Sequence, residues 1–302
     1  MDINDNSLII TKVMRQLLTL EFPVDNTMQV FIFPINANQF DYSTTVDELL
    51  NSVADFALSR KTKEYLAKTG GMKLSKEART KFKDWKQNTG ELGEFLLFCF
   101  LEGHLRAPKI LSKLELKTSS EMYVHGADGL HYLKLPNDNY QLIFGESKLH
   151  KPITKGLREA FKSISEFKNS VNSKGEEKSG ISFERSLMSS NLDRETFSEE
   201  EKAFLSSIIY PSRGENSFNV DDAFGIFIGY EVDFENERKC LKNDDFREHV
   251  ETSIKETIEK QKGNIANYID EFDLHGHTFY IYVLPFSKLD DTRKIILKEL
   301  LS

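Results

Sequence analysis

The run YQLIFGESKLH, Tyr140 to His150, constrains the fold of this chain more than any other stretch. Its first half is apolar on both strand faces, as a strand covered on both sides requires, yet it ends in a carboxylate and an ammonium, Glu146 and Lys148. Strand side chains alternate, so Glu146 and Lys148 project together while Ser147 points the other way. The preceding HGADGLHYL reads as another strand, and LPNDN between the two is rich in turn formers. A hairpin symmetric about Asn137 then sets Asp128 opposite Glu146, with Cβ atoms about 5 Å apart.

Two facing carboxylates repel unless a positive charge compensates them. A hard divalent cation, Mg²⁺ or Mn²⁺, suits oxygen ligands at that spacing and takes one or two carboxylates from a protein. Lys148 would then hold a metal-bound water and face charge developing on a phosphate. Gly126 and Gly129, flanking Asp128, let the backbone bend there. The same residues also admit a plainer reading: an exposed ion pair of Glu146 with Lys148, and Asp128 capping a turn. Glu-x-Lys recurs at Glu115/Lys117, Glu176/Lys178, Glu200/Lys202 and Glu237/Lys239, so context alone singles out Glu146.

A helix supplies the next acid. Asn88 and Glu91 in NTGELGEF form a capping signal, and the helix they open runs to about Arg106, before Pro108. Its stretch EFLLFCFL is apolar enough to be buried on most sides, so Glu94 needs a partner or a cleft, and metal ligation would satisfy it. Glu91 lies one turn earlier and is also explained as a capping residue.

Around this core we read an N-terminal α/β unit over residues 1–85, with a strand at Met28–Ile35 and a helix capped by Thr45 and Glu48 that carries Val46, Leu49, Leu50, Val53 and Phe56. Residues 86–302 form the second unit. Strands are expected at Ile110–Lys117, Gly129–Leu135 and Tyr140–Leu149, then an amphipathic helix from about Thr154 to Asn169. Residues 170–220, rich in Ser, Glu, Lys and Asn, read as a mobile insertion holding one short helix that starts at Ser198 with Glu201. Strands at Ala223–Tyr230 and Thr278–Leu284 follow, separated by a helix carrying Val250, Ile254, Ile258, Ile265 and Ile269. A last helix is capped by Asp290 or Asp291. The class is mixed α/β.

A hydrophobic content of 39 % with 23 Phe excludes a wholly disordered chain. The longest apolar run, Phe95–Leu101, is far shorter than the roughly 20 residues that span a bilayer, and the start MDINDNSLII lacks the basic flank of a secretory signal, so we expect a cytoplasmic protein without membrane attachment. Two cysteines, Cys99 and Cys240, make neither a disulfide framework nor a cysteine zinc site. The net charge of −8 is unusual for a nucleic-acid binder, but basic residues concentrate in Arg60–Lys86 and Lys148–Lys168, where they would neutralise phosphates or simply face water. His125 and His131 read as surface or core residues; His150, sharing the parity of Glu146 and Lys148, is the best outlying candidate for phosphate contact. His275 and His277 are best explained by a turn. HExxH, GxSxG and P-loop patterns do not occur.

Glu on a helix, then Asp, then Glu-x-Lys on the next strand resembles the PD-(D/E)xK nuclease superfamily, whose core is αβββαβ. GELGEFLLFCFLE, MYVHGADGLHYL and YQLIFGESKLH together resemble the HamA family, nuclease subunits of Hachiman antiphage defence systems, over roughly residues 85–285. The resemblance implies a restriction-endonuclease-like fold, a catalytic core of Asp128, Glu146 and Lys148 with Glu94 as auxiliary acid, and Mg²⁺ bound by Asp128, Glu146 and Glu94. It further implies DNA as substrate and a HamB-like helicase partner that restrains the nuclease. Ala127 stands where the superfamily's name has Pro, and no Gln-x-x-x-Tyr follows on the next helix, which separates the chain from the RecB-like branch. The competing readings are a catalytically silent DNA-binding or regulatory subunit of a helicase complex, and a metal-dependent hydrolase of another substrate class that uses the histidines.

Overall fold

A computed structural model describes residues 3, 5–82, 90–116, 126–172, 174–211 and 218–302. Seven strands form a central mixed sheet: β1 (Arg15–Phe22), β2 (Asn26–Ile32), β5 (Lys109–Ser112), β6 (Gly129–Lys134), β7 (Asn139–His150), β8 (Asn219–Val232) and β9 (Thr278–Ser287). Two short strands, β3 (Ile35–Asn36) and β4 (Gln39–Phe40), pair by themselves. The sheet order is β1-β2-β9-β8-β7-β6-β5. β5, β6 and β7 are antiparallel neighbours, whereas β7, β8, β9 and β2 run parallel, a pairing that requires long crossover connections.

Both faces of this sheet are covered. Helix Glu91–Gly103 lies on one face, every residue of it buried, together with helices Tyr42–Leu49, Ser52–Ala57 and Leu289–Leu301. Phe100 of that helix stacks on Tyr282 of β9 with ring centroids 4.9 Å apart. Helix Ile153–Asn169 covers the other face, setting Phe161 against Phe279 and Phe167 against Phe144. Read in chain order, helix Glu91–Gly103, the meander β5-β6-β7, helix Ile153–Asn169 and β8 reproduce the αβββαβ order. The β1-β2 hairpin from residues 1–85 extends the same sheet beside β9.

The hairpin register is the one expected: Leu130 pairs with Phe144 and Lys134 with Tyr140, about Asn137 at φ 61°. Other expectations are corrected. The β2 strand ends at Ile32, and the helix after it is capped by Asp41, whose Oδ1 accepts from Thr44 N at 3.1 Å, so Thr45 lies inside the helix. Val53 and Phe56 belong to a separate helix, Ser52–Ala57. The strand expected over Ile110–Lys117 stops at Ser112, and Lys113–Leu116 turn into a short helix. Lys117 and Asn88 lie outside the described residues, as does His125.

Among the described residues of 170–220 there are two helices rather than one, Ile181–Glu195 and Glu199–Ile209, packed on each other, the first also against β5 and the second against β7. The cap at Ser198 is as expected, its hydroxyl accepting from Glu201 N at 3.1 Å. The segment between β8 and β9 breaks into Glu235–Cys240, Asn243–Glu259 and Lys262–Glu271. Asp290 and Asp291 sit in the first turn of the last helix rather than capping it; Leu289 N donates instead to Glu231 Oε2 at the end of β8, at 2.8 Å.

Candidate active site

The site arises because one strand outlasts its neighbour. β6 begins at Gly129, so beyond Phe144 the β7 edge loses its antiparallel partner, while β8 still pairs with Glu146, Ser147 and Lys148 on the other side. Asp128 occupies the vacated edge. Its backbone N donates to Gly145 O at 2.8 Å, and its Oδ2 accepts from Ser147 N and from Ser147 Oγ, both at 2.8 Å. A backbone N–H that the ladder leaves open is thus satisfied by a carboxylate.

Asp128 therefore lies just past the ladder, beside Glu146, rather than within it. Glu146 and Lys148 do project together, with Lys148 Nζ 2.5 Å from Glu146 Oε1. Glu94 comes from helix Glu91–Gly103, which approaches β7 so closely that a Cβ on Gly93 would stand 3.1 Å from Ser147 Cβ. All four residues, Glu94, Asp128, Glu146 and Lys148, line one cleft of about 340 Å³, floored by Phe144, Ile164 and Phe167.

A family model described as HamA matches residues 10–300, nearly the whole chain. The chain belongs to the HamA family. Membership ties it to Hachiman antiphage defence. No curated protein matches it.

In this HamA chain the cleft carries balanced charge. Burial pushes the Glu146 carboxyl above its ordinary value, Lys148 opposes that shift and Asp128 adds to it. Burial would lower Lys148, but Glu146, Asp128 and Glu159 together outweigh it and hold the ammonium above its ordinary value. Among the described residues, no group of three or more His, Cys, Asp or Glu is arranged to hold a metal ion. The donor chemistry nevertheless fits a hard cation: two carboxylates from adjacent backbones, one of them disfavoured as an anion in its present surroundings, with room for water in the cleft.

Three participants were not foreseen. Lys113, in the turn that follows β5, places Nζ 3.2 Å from Asp128 Oδ1. Ser147 holds the other oxygen. Glu184, on helix Ile181–Glu195, accepts from Ala127 N through Oε1 at 3.3 Å, and burial raises its carboxyl to about 7. Gly126 must be glycine here, since φ is +149° and a Cβ would run into Glu184 Oε1. Register would have found Lys113, because Ser112 pairs with Gly129 and the next step faces Lys113 with Asp128.

The histidines stand elsewhere. His131 is buried, bonded to Ala107 O at 2.8 Å and lowered to about 4 by burial. His150 pairs with Glu159 at 2.6 Å, His275 with Asp270 at 3.2 Å, and His277 meets Asp222 O at 3.1 Å. No described histidine lines the cleft, so the reading in which histidines hold a metal finds no support among the described residues.

Proposed function

We propose that this HamA chain is a metal-dependent DNA nuclease that hydrolyses phosphodiester bonds under the control of a HamB-like helicase partner. The observation that carries the reading is the convergence of Glu94, Asp128, Glu146 and Lys148 on one cleft, from a helix, a loop and a strand. None of the four has been replaced by an inert side chain, which argues against a silent scaffold.

Asp128 and Glu146 would hold Mg²⁺ or Mn²⁺, with Glu94 as a further acid from the helix. A divalent cation bound there would supply positive charge to the reacting phosphate and favour proton loss from the attacking water. Lys148, kept in place by Glu146, orients the attacking water and faces the charge that grows on phosphorus-bound oxygens. The water oxygen bonds to phosphorus as the water gives up one proton, the ester P–O bond breaks, and the leaving oxygen takes up one proton, so the proton count balances. Ser147 and Glu184 do no chemistry in this scheme; they fix Asp128 and the loop that carries it. Lys178, which also lines the cleft, adds positive charge for the DNA backbone.

The test is cleavage of plasmid and linear DNA by the full chain, alone and with the helicase partner and ATP, in Mg²⁺ or in EDTA. Metal-dependent cutting that disappears in Glu146→Gln and Lys148→Ala supports the assignment. Full cutting by both variants, or undiminished cutting in EDTA, would overturn it.

A further inference from the structure

Lys113 arrives in the cleft by register. β5 ends at Ser112, opposite Gly129, and Lys113 N then donates to Asp128 O at 3.3 Å, so the side chain leaves the backbone beside the Asp128 carboxylate. Nζ lies 3.2 Å from Oδ1, and the side chain is only 17 % exposed. Lys113 lines the same cleft as Asp128 and Glu146, the two carboxylates that fit a hard cation, and its ammonium touches the first of them.

We propose that Lys113 is the resident counter-ion of this site: its ammonium stands in the seat of the divalent cation, which binds by displacing it. The inference rests on the metal-dependent reading of the cleft. Asp128 remains positioned when the ammonium leaves, because its other oxygen is held by Ser147 N and Oγ from β7. The lysine has a flexible four-carbon stem and can swing clear without moving the backbone. Displacement costs the ion pair with Asp128, so the apparent affinity for metal is lower than the carboxylates alone would give. A site built this way stays charge-balanced when metal is absent.

The experiment is a Mn²⁺ titration of the metal-stripped full chain, reading free Mn²⁺ by electron paramagnetic resonance, on wild type, Lys113→Met, Lys113→Arg and Glu146→Gln. Melting in EDTA and in Mn²⁺ is followed in parallel. The expected result is Mn²⁺ binding about tenfold tighter in Lys113→Met than in wild type, no such gain in Lys113→Arg, and a melting temperature of Lys113→Met that falls in EDTA and recovers in Mn²⁺. Lys113→Gln, which keeps a polar end, serves if the Met variant does not fold. Binding that depends on Glu146 but is unchanged or weaker in the neutral Lys113 variants overturns the counter-ion role and leaves the metal site standing. Absence of any Glu146-dependent Mn²⁺ binding overturns the metal site itself, and the counter-ion role with it.

Discussion

Ser147 holds Asp128 with two hydrogen bonds on a single oxygen, one from its backbone N–H and one from its hydroxyl, each 2.8 Å long. The strand that presents Glu146 and Lys148 thus also aims the acid beside them. Ser147→Ala removes one donor and leaves the backbone bond. We expect cleavage to fall about tenfold while stability drops by about 1.5–3 kcal/mol, the net worth of a hydrogen bond to a charged group. Single-turnover cleavage and a urea melt on the same protein separate the two effects.

Glu146 is a partly buried carboxyl whose surroundings disfavour its charge, so its removal should not unfold the chain. Glu146→Gln is expected to keep the fold, because burial already disfavours the Glu146 charge and the amide preserves its shape and an accepting oxygen beside Lys148. Its cleavage should disappear. Circular dichroism melting beside the plasmid assay checks both, and a large loss of stability would recast Glu146 as structural.

The carboxyls of Glu184 and Glu195 are raised by burial, to about 7 and about 8, and Glu115 adds to the shift at Glu195. Between the ordinary value of 4.5 and these values the folded chain binds protons that the unfolded chain has released. Their contribution to stability is therefore full below that window and declines as pH rises through it. For Glu184 the decline is on the order of 2 kcal/mol. Melting temperatures at pH 5.5 and pH 8 should differ less in Glu184→Gln and in Glu195→Gln than in wild type.

Gly126→Ala meets two obstacles, a φ of +149° and the carboxylate of Glu184. We expect a loss of about 2 kcal/mol or more. The double variant with Glu184→Ala should recover the steric part and keep the backbone part. A double-mutant cycle on denaturant midpoints reads the division, and strict additivity would mean that the two residues do not meet.

Much of the fold was legible where one periodicity dominates. The turn at Asn137 and the alternation along Tyr140–His150 sufficed for the hairpin register, and hence for bringing Asp128 beside Glu146. Helix Ile181–Glu195 was hidden for a physical reason. Its inward face is Glu184, Met188, Leu192 and Glu195, so carboxyls stand at both ends of the buried stripe and only two residues carry the apolar signal. Lys113 was hidden because it sits where a strand gives way to a helix, and the register that reaches it comes from pairing with β6, not from spacing along β5. Asp41, not Thr45, proved to be the cap because the helix starts a turn earlier than its apolar pattern.

Thr27 of β2 and Tyr280 of β9 are partners in a parallel ladder, although roughly 250 residues of chain separate them. At ribosomal speeds of about 5–20 residues per second, β2 is synthesised on the order of ten seconds or more before its neighbour exists. Until then the edges of β2 and β8 are open templates for pairing with other chains. Chaperone demand in the cell should therefore concentrate on this interval, and fragments that stop short of β9 should collect in inclusion bodies even though they contain every acid and lysine of the cleft.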